Sequence, residues 1–328
     1  MASILSQTNT EPHRHEHNER ADGGFLVGID LGGTKIRAGI ADSAGAILAE
    51  RKVKTETGGS NAVHQIVSIV EDLCAAIGAD VSRVAATGIG GAGVPDEAGT
   101  SFDLAPNLQD ISETPFVRQL SLQLGHPVLI ENDVNVAALG ELHYGLGRGH
   151  SDFVYVAVGT GIGMGIIGGG RLVRGAHGAA GEIGFLPFGA DPLDPATRVR
   201  GALEEETAGD AIVRRYQQST GKDCSPRDIF LAAAAGDSSA VATIDTEARW
   251  IAAALAAVNA VLDPELVVLG GGIGSRSALQ PLIHSWLDRY GVASLDVHLS
   301  TLGHHAPVAG AVRVALESAH SLQKGRVR

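Results

Sequence analysis

The sequence predicts an α/β protein built from two related halves, and three observations carry that expectation. The first is a meander near the start. An apolar run (Phe25, Leu26, Val27, Ile29) ends at Asp30, turns through Leu31-Gly32-Gly33-Thr34 and returns as Lys35 to Ala41, then turns at Asp42-Ser43-Ala44-Gly45 into Ala46 to Arg51. The second is its echo half-way along the chain: Phe153 to Val158, Gly159-Thr160-Gly161-Ile162-Gly163, Met164 to Ile167, Gly168-Gly169-Gly170 and Arg171 to Val173. The third is the alternation of strand and helix patterns after each meander, as in parallel sheets with crossover helices. At 328 residues the chain has room for two domains with ample core.

In chain order, residues 1 to 24 are polar, carry His13, His15 and His17, and show no periodic apolar face, so a disordered tail is expected. It has no apolar signal-peptide core and is too short for a DNA-reading winged helix. Ser60 to Ala79 places Val63, Ile66, Val67, Val70, Leu73, Cys74 and Ile77 on one helical face, with Ser60 as N-cap and Gly78 as stop. Arg83 to Ile89 reads as a buried strand, with Gly90 to Asp96 as the loop beyond its end, where α/β sheets hold ligands. Ala105 to Leu108 is a loop, Thr114-Pro115 starts a helix that stops near Gly125, and Pro127 to Ile130 is a strand. Glu131-Asn132-Asp133 then opens a helix to about Tyr144.

After the second meander, Gly175 to Arg200 is loop-rich, and helices are expected at about Ala202 to Ser219, Arg227 to Ala235 and Ser239 to Leu262. The last carries Trp250, Ile251, Leu255, Val258 and Leu262 at helical spacing, a core stripe. Pro264 ends it, Leu266 to Leu269 is a parallel strand, and Gly270-Gly271-Gly272 opens another phosphate-sized turn. A final helix starts near Pro307.

Composition narrows the classes. No apolar run approaches the ~20 residues of a membrane span. Two cysteines, Cys74 and Cys224, provide neither a disulfide framework nor a metal pair, which suits a reducing cytoplasm. A formal net charge of -12 argues against a nucleic-acid surface. Phosphate must therefore be held locally. Adjacent glycines let an anion approach backbone N–H groups, so Gly32, Gly33, Thr34 and Lys35, echoed by Gly159, Thr160 and Gly161 and again by Gly271 and Gly272, form a candidate nucleotide clamp. Asp30 at the strand end can hold Mg²⁺ through water, or simply cap its turn. Asp133, between a strand end and a helix start, can take the proton of an attacking hydroxyl, or serve as the helix N-cap. Two GxGxxG matches, Gly88 to Gly93 and Gly163 to Gly168, lack a following helix and do not mark a dinucleotide site.

The stretches GIDLGGTK (Gly28 to Lys35), IEND (Ile130 to Asp133), VGTGIG (Val158 to Gly163), GAAGEIG (Gly178 to Gly184) and VLGGGI (Val268 to Ile273) resemble the sugar kinases of the ROK family (repressor, open reading frame, kinase) over about residues 25 to 320. The resemblance implies the two-domain actin and hexokinase-like (ribonuclease H-like) ATPase fold around a cleft. Residues 25–134 with 306–321 would form one domain and 135–305 the other. It further implies ATP as donor, a homodimer, Asp133 as general base, and Gly93, Asn107, Asn132, Glu182 and Glu204 as sugar ligands, with Glu205 and Glu206 leaving the last position open. Family kinases carry a histidine where this chain has Phe185, and a cysteine-rich zinc run where it has Phe188 to Gly201 without cysteine or histidine. Structural zinc is therefore not expected, and recognition near C1 and C2 of the sugar is open. The expected activity is transfer of the γ-phosphoryl group of ATP to the 6-hydroxyl of a hexose, glucose first. N-acetylmannosamine, N-acetylglucosamine or another hexose is the alternative, and a non-catalytic sugar sensor or regulator is the alternative of another class.

Overall fold

The computed structural model describes residues 24–56, 59–95, 101–103 and 116–326. Most of the expected tail, Asp96, Asn107, the helix start at Thr114 and the Ser60 side chain lie outside the described residues.

The first meander forms as its alternating pattern predicts: β1 (Phe25–Leu31), β2 (Lys35–Ala41) and β3 (Ile47–Lys54) pair antiparallel. Helix α1 (Gly59–Ala76) leads to β4 (Val84–Gly91), a short ribbon of β5 (Val94–Pro95) and β6 (Phe102–Asp103), then α2 (Phe116–Leu124) and β7 (Val128–Asn132). The sheet order is β3-β2-β1-β4-β7, with β1, β4 and β7 parallel. Strand β4 outruns the sequence expectation, because Gly90 and Gly91 stay in the ladder opposite Glu131 and Asn132. A Cβ on Gly90 would lie 2.4 Å from Val136 Cγ2, so the missing side chain lets the next helix sit down on the strand end.

That helix is α3 (Asp133–Tyr144), followed by the second meander, β8 (Phe153–Val158), β9 (Ile162–Gly168) and β10 (Arg171–Leu172). A short α4 (Thr197–Arg200), then α5 (Ala208–Thr220), α6 (Pro226–Ala234) and α7 (Ser238–Leu262) precede β11 (Leu266–Gly270). The chain ends through α8 (Gly271–Gly274), α9 (Leu279–Arg289), β12 (Val297–Leu299) and α10 (Ala306–Arg326). The second sheet runs β10-β9-β8-β11-β12, with β8, β11 and β12 parallel, and so repeats the plan of the first.

Two expectations need correction. The single helix expected from Ala202 to Ser219 is broken: Glu204–Glu206 form a 3-10 turn, Thr207 is extended, and α5 starts at Ala208, whose φ is +74°. In the α7 stripe Ile251, Leu255 and Val258 are buried and Trp250 half-buried, but Leu262 is exposed, because the helix ends there on the left-handed cap Asp263. Each sheet has its own apolar core. Helix α10 lies across β1 and β4, where side chains on Gly28 and Gly88 would meet its backbone at 2.4 and 2.1 Å.

Candidate active site

Both sheets present their glycine turns at the carboxyl ends of parallel strands, the edge at which α/β sheets bind ligands. In the first turn the Gly32 N–H closes on Lys35 O (3.2 Å), and Thr55 braces it, with Oγ1 donating to Gly32 O (2.6 Å) and N–H to Thr34 O (3.1 Å). In the second turn the Gly159 N–H closes on Gly161 O (2.8 Å), and Ile162 N–H donates to Glu204 Oε2 (3.1 Å). The two turns thus share one logic: the first glycine spends its N–H on shape, and the next two residues, Gly33 and Thr34 or Thr160 and Gly161, keep N–H groups with no acceptor among the described residues. Thr34, Lys35 and Thr160 are exposed. The α8 turn abuts the second one. Gly271 has φ +79° and a Cβ there would stand 2.3 Å from Val158 O, while a Cβ on Gly159 would lie 3.8 Å from Gly272 N.

The capping question at the start of α3 has a definite answer. Asn132 is the N-cap, its Oδ1 accepting from Val134 N (2.9 Å) and Asn135 N (3.1 Å). Its Nδ2 donates to Gly93 O (3.1 Å), at a backbone of φ +106° that favours glycine. Asp133 is thereby released from capping. Its half-buried carboxyl is pushed above the usual range by burial, against the opposing pull of its own and the Val134 N–H. Two neighbouring carboxyls feel the charge of Asp133. Burial and then the Asp133 charge push Asp30 up to about 6, opposed by Arg37, whose Nη1 stands 3.5 Å away. Glu182 is raised by burial, by Asp133 and by Glu204. Asp30, Asp133, Glu182 and Glu204 thus influence one another pairwise, Asp30 beside the first glycine turn and Glu204 against the second.

Of the three consecutive glutamates, only Glu204 faces the turn. It is raised by burial, with Ile162 N–H and Arg200 opposing, and it lies so close that a Cβ on Gly161 would stand 2.4 Å from its Oε2. Glu205 pairs with Arg200 and Arg214, and Glu206 with Arg215. Phe185 is 50% exposed, in the turn that Glu182 begins, and His177 is exposed. Sequence reasoning passed over Glu131, its partner Arg174, and Tyr155. Glu131 is buried, accepts from Asn132 N–H (3.0 Å) and Asn135 Nδ2 (2.9 Å), and receives Arg174 Nε (2.6 Å) from beyond the second meander. Tyr155, buried on β8, has a phenol raised by burial, then by Glu141 and Asp133, while Gly271 N–H pulls the other way. A charge inside IEND was the available signal for Glu131; an apolar strand hid Tyr155.

The ROK family model matches residues 26–318, nearly the whole described chain. The chain belongs to the ROK family. A glucokinase of Streptomyces coelicolor is 34% identical over 319 residues, covering 90% of this chain and 98% of that protein. An N-acetylmannosamine kinase of Citrobacter koseri is 30% identical over 292 residues, covering 88% and 98%. The crystal structure of a ROK family glucokinase from Streptomyces griseus, in complex with glucose and AMPPNP, superposes with a TM-score of 0.74 at 32% identity, covering 90% of this chain and 100% of that one. The two-sheet architecture of this ROK protein is the actin and hexokinase-like ATPase fold.

Proposed function

We propose that this sugar kinase transfers the γ-phosphoryl group of ATP to the 6-hydroxyl of a hexose, with glucose as the first candidate. The observation that carries the reading is the release of Asp133 from capping, with its charge acting on Asp30 and Glu182 and with free N–H donors on both glycine turns. In the step, the sugar O6 bonds to the terminal phosphorus, the bond from that phosphorus to the bridging oxygen breaks, the hydroxyl proton passes to Asp133, and ADP leaves. The N–H groups of Gly33 and Thr34 and of Thr160 and Gly161 hold phosphate oxygens, with Gly271 and Gly272 beside them. Glu182, Glu204 and the remaining Nδ2 hydrogen of Asn132 address sugar hydroxyls.

Mg²⁺ fits at Asp30. Its carboxylate is only partly balanced by Arg37, and no group of three or more His, Cys, Asp and Glu among the described residues is placed to hold a metal by itself. Mg²⁺ ordinarily rests on one or two carboxylates, with water and phosphate supplying the rest. When bound, it would neutralise charge on the phosphate oxygens.

A 2-acetamido hexose is the second reading. It is favoured by the exposed Phe185 ring near Glu182, an apolar surface for an acetyl methyl, and by the N-acetylmannosamine kinase relative. ADP release over a panel of hexoses and 2-acetamido hexoses tests both. Asp133→Asn is expected to lower kcat by roughly 10²–10⁴. Turnover without sugar dependence, or unchanged in the variant, would sink the assignment.

A further inference from the structure

Helix α5 starts at a cost. Ala208 is fully buried and holds φ +74°, a region that charges a residue with a Cβ on the order of 1 kcal/mol or more. Its N–H donates to Glu247 Oε1 at 2.7 Å. Glu247 lies on α7, fully buried, and its other oxygen accepts from Arg215 Nη2. Arg215 Nη1 in turn donates to Glu206 O (2.6 Å), and Arg214 Nη2 donates to Glu205 O. The amide of residue 208 and the carbonyls of 205 and 206 are thus all fixed from behind.

The front of the same segment grips the second glycine turn at both shoulders. Glu204 accepts from Ile162 N–H (3.1 Å), and Gly209 N–H donates to Gly159 O (2.9 Å). The residues between, Thr160 and Gly161, carry the free N–H groups. If Ala208 relaxed to an ordinary negative φ, the following peptide would swing and Gly209 N–H would leave Gly159 O. Burial pushes the Glu247 carboxyl up to about 6 despite Arg215, and a buried ion pair is a weak source of stability. Its consequence here is geometric.

We propose that Glu247 is a positioning residue for the nucleotide-phosphate turn, acting through the backbone of Ala208 and Gly209 on Gly159. The inference rests on the reading that Thr160 and Gly161 hold ATP phosphate. Glu247→Gln is the test, since Ala208 and Arg215 bond different carboxylate oxygens and in glutamine one of the two becomes an NH₂ donor that faces a donor. The variant should raise KM for ATP about tenfold while KM for the hexose moves less than twofold. Adding Ala208→Gly should restore most of the loss, because glycine takes φ +74° without the clamp. In the absence of any substrate, amide exchange at Gly209 should speed up in the single variant and slow again in the double one.

A parallel rise in both KM values, no rescue by glycine, or unchanged exchange at Gly209 would each overturn the proposal. Where Glu247→Gln alone does not fold, the double variant must; failure of both overturns it, because the carboxylate would then support the whole half and not one turn. Should the unaltered protein phosphorylate no sugar, the functional reading fails, while the exchange result still decides the role of Glu247.

Discussion

At the scale of single residues, the site is set by which polar groups are spent and which are kept. Asp30 is spent only in part. Held up at about 6 by burial and by Asp133, its ionisation works against the fold. A carboxyl raised in the folded state contributes stability that is full below its unfolded value near 4 and is lost as pH rises through about 6. At pH 8 the whole penalty is present, on the order of 3 kcal/mol for about two pKa units. Asp30→Asn should therefore raise the thermal midpoint at pH 8, by about twice as much as at pH 5, while abolishing ATP-dependent turnover. Melts of both proteins at the two pH values check this, and a larger gain at pH 5 would reverse the sign of the argument. A stabilised but inactive variant is what a functional site held under electrostatic tension gives.

At the scale of elements, α3 shows what capping does for catalysis. Because Asn132 satisfies the first helical N–H groups, its loss should cost about 1 kcal/mol, as N-cap deletions do. Asn132→Ala should thus melt lower than Asp133→Ala, although the latter removes the charged group; the opposite order would return the cap to Asp133. The sequence could not decide between them, since both are good caps one residue apart and only the path of the chain from β7 selects one. The meanders, by contrast, were legible, because an apolar run, a glycine pair and a return run admit one local solution. So were the glycine turns and the carboxylates at strand ends. The break at Ala208 was not legible. Thr207 and Gly209 weaken a continuous helix here and Thr-x-x-Asp suits a helix start, but none of this calls for a positive φ at Ala208, whose N–H is held by Glu247, 39 residues on. For the same reason, which of Glu204, Glu205 and Glu206 faces the turn needed the positions of Arg214 and Arg215, since Arg200 pairs with both Glu204 and Glu205.

At the scale of the whole molecule, the two sheets meet through α3 and α10, packed at glycine on both sides. A Cβ on Gly310 would lie 1.6 Å from Val136 O, and one on Gly140 2.2 Å from Ala306 O. On its other face α10 lies on Gly28 and Gly88 of the first sheet, while α3 meets the second at β9, where a Cβ on Gly165 would stand 2.7 Å from Val134 O. The helix that carries Asp133 is thus fixed by close backbone approaches at glycine, with Val136, Leu139 and Val314 packed around them. Gly310→Ala sets two effects against each other. Helix propensity alone favours alanine by about 1 kcal/mol. The added methyl, however, overlaps a carbonyl oxygen that no rotamer change can move, and overpacking costs ~1–3 kcal/mol even where side chains can yield. The clash should win: the variant is expected to melt roughly 5 °C or more below the unaltered protein. It should also lower kcat, because α3 must shift and take Asp133 with it. A midpoint that holds or rises, as propensity alone would give, would mean that the α3 and α10 contact is looser than these distances require and that the position of Asp133 is fixed elsewhere.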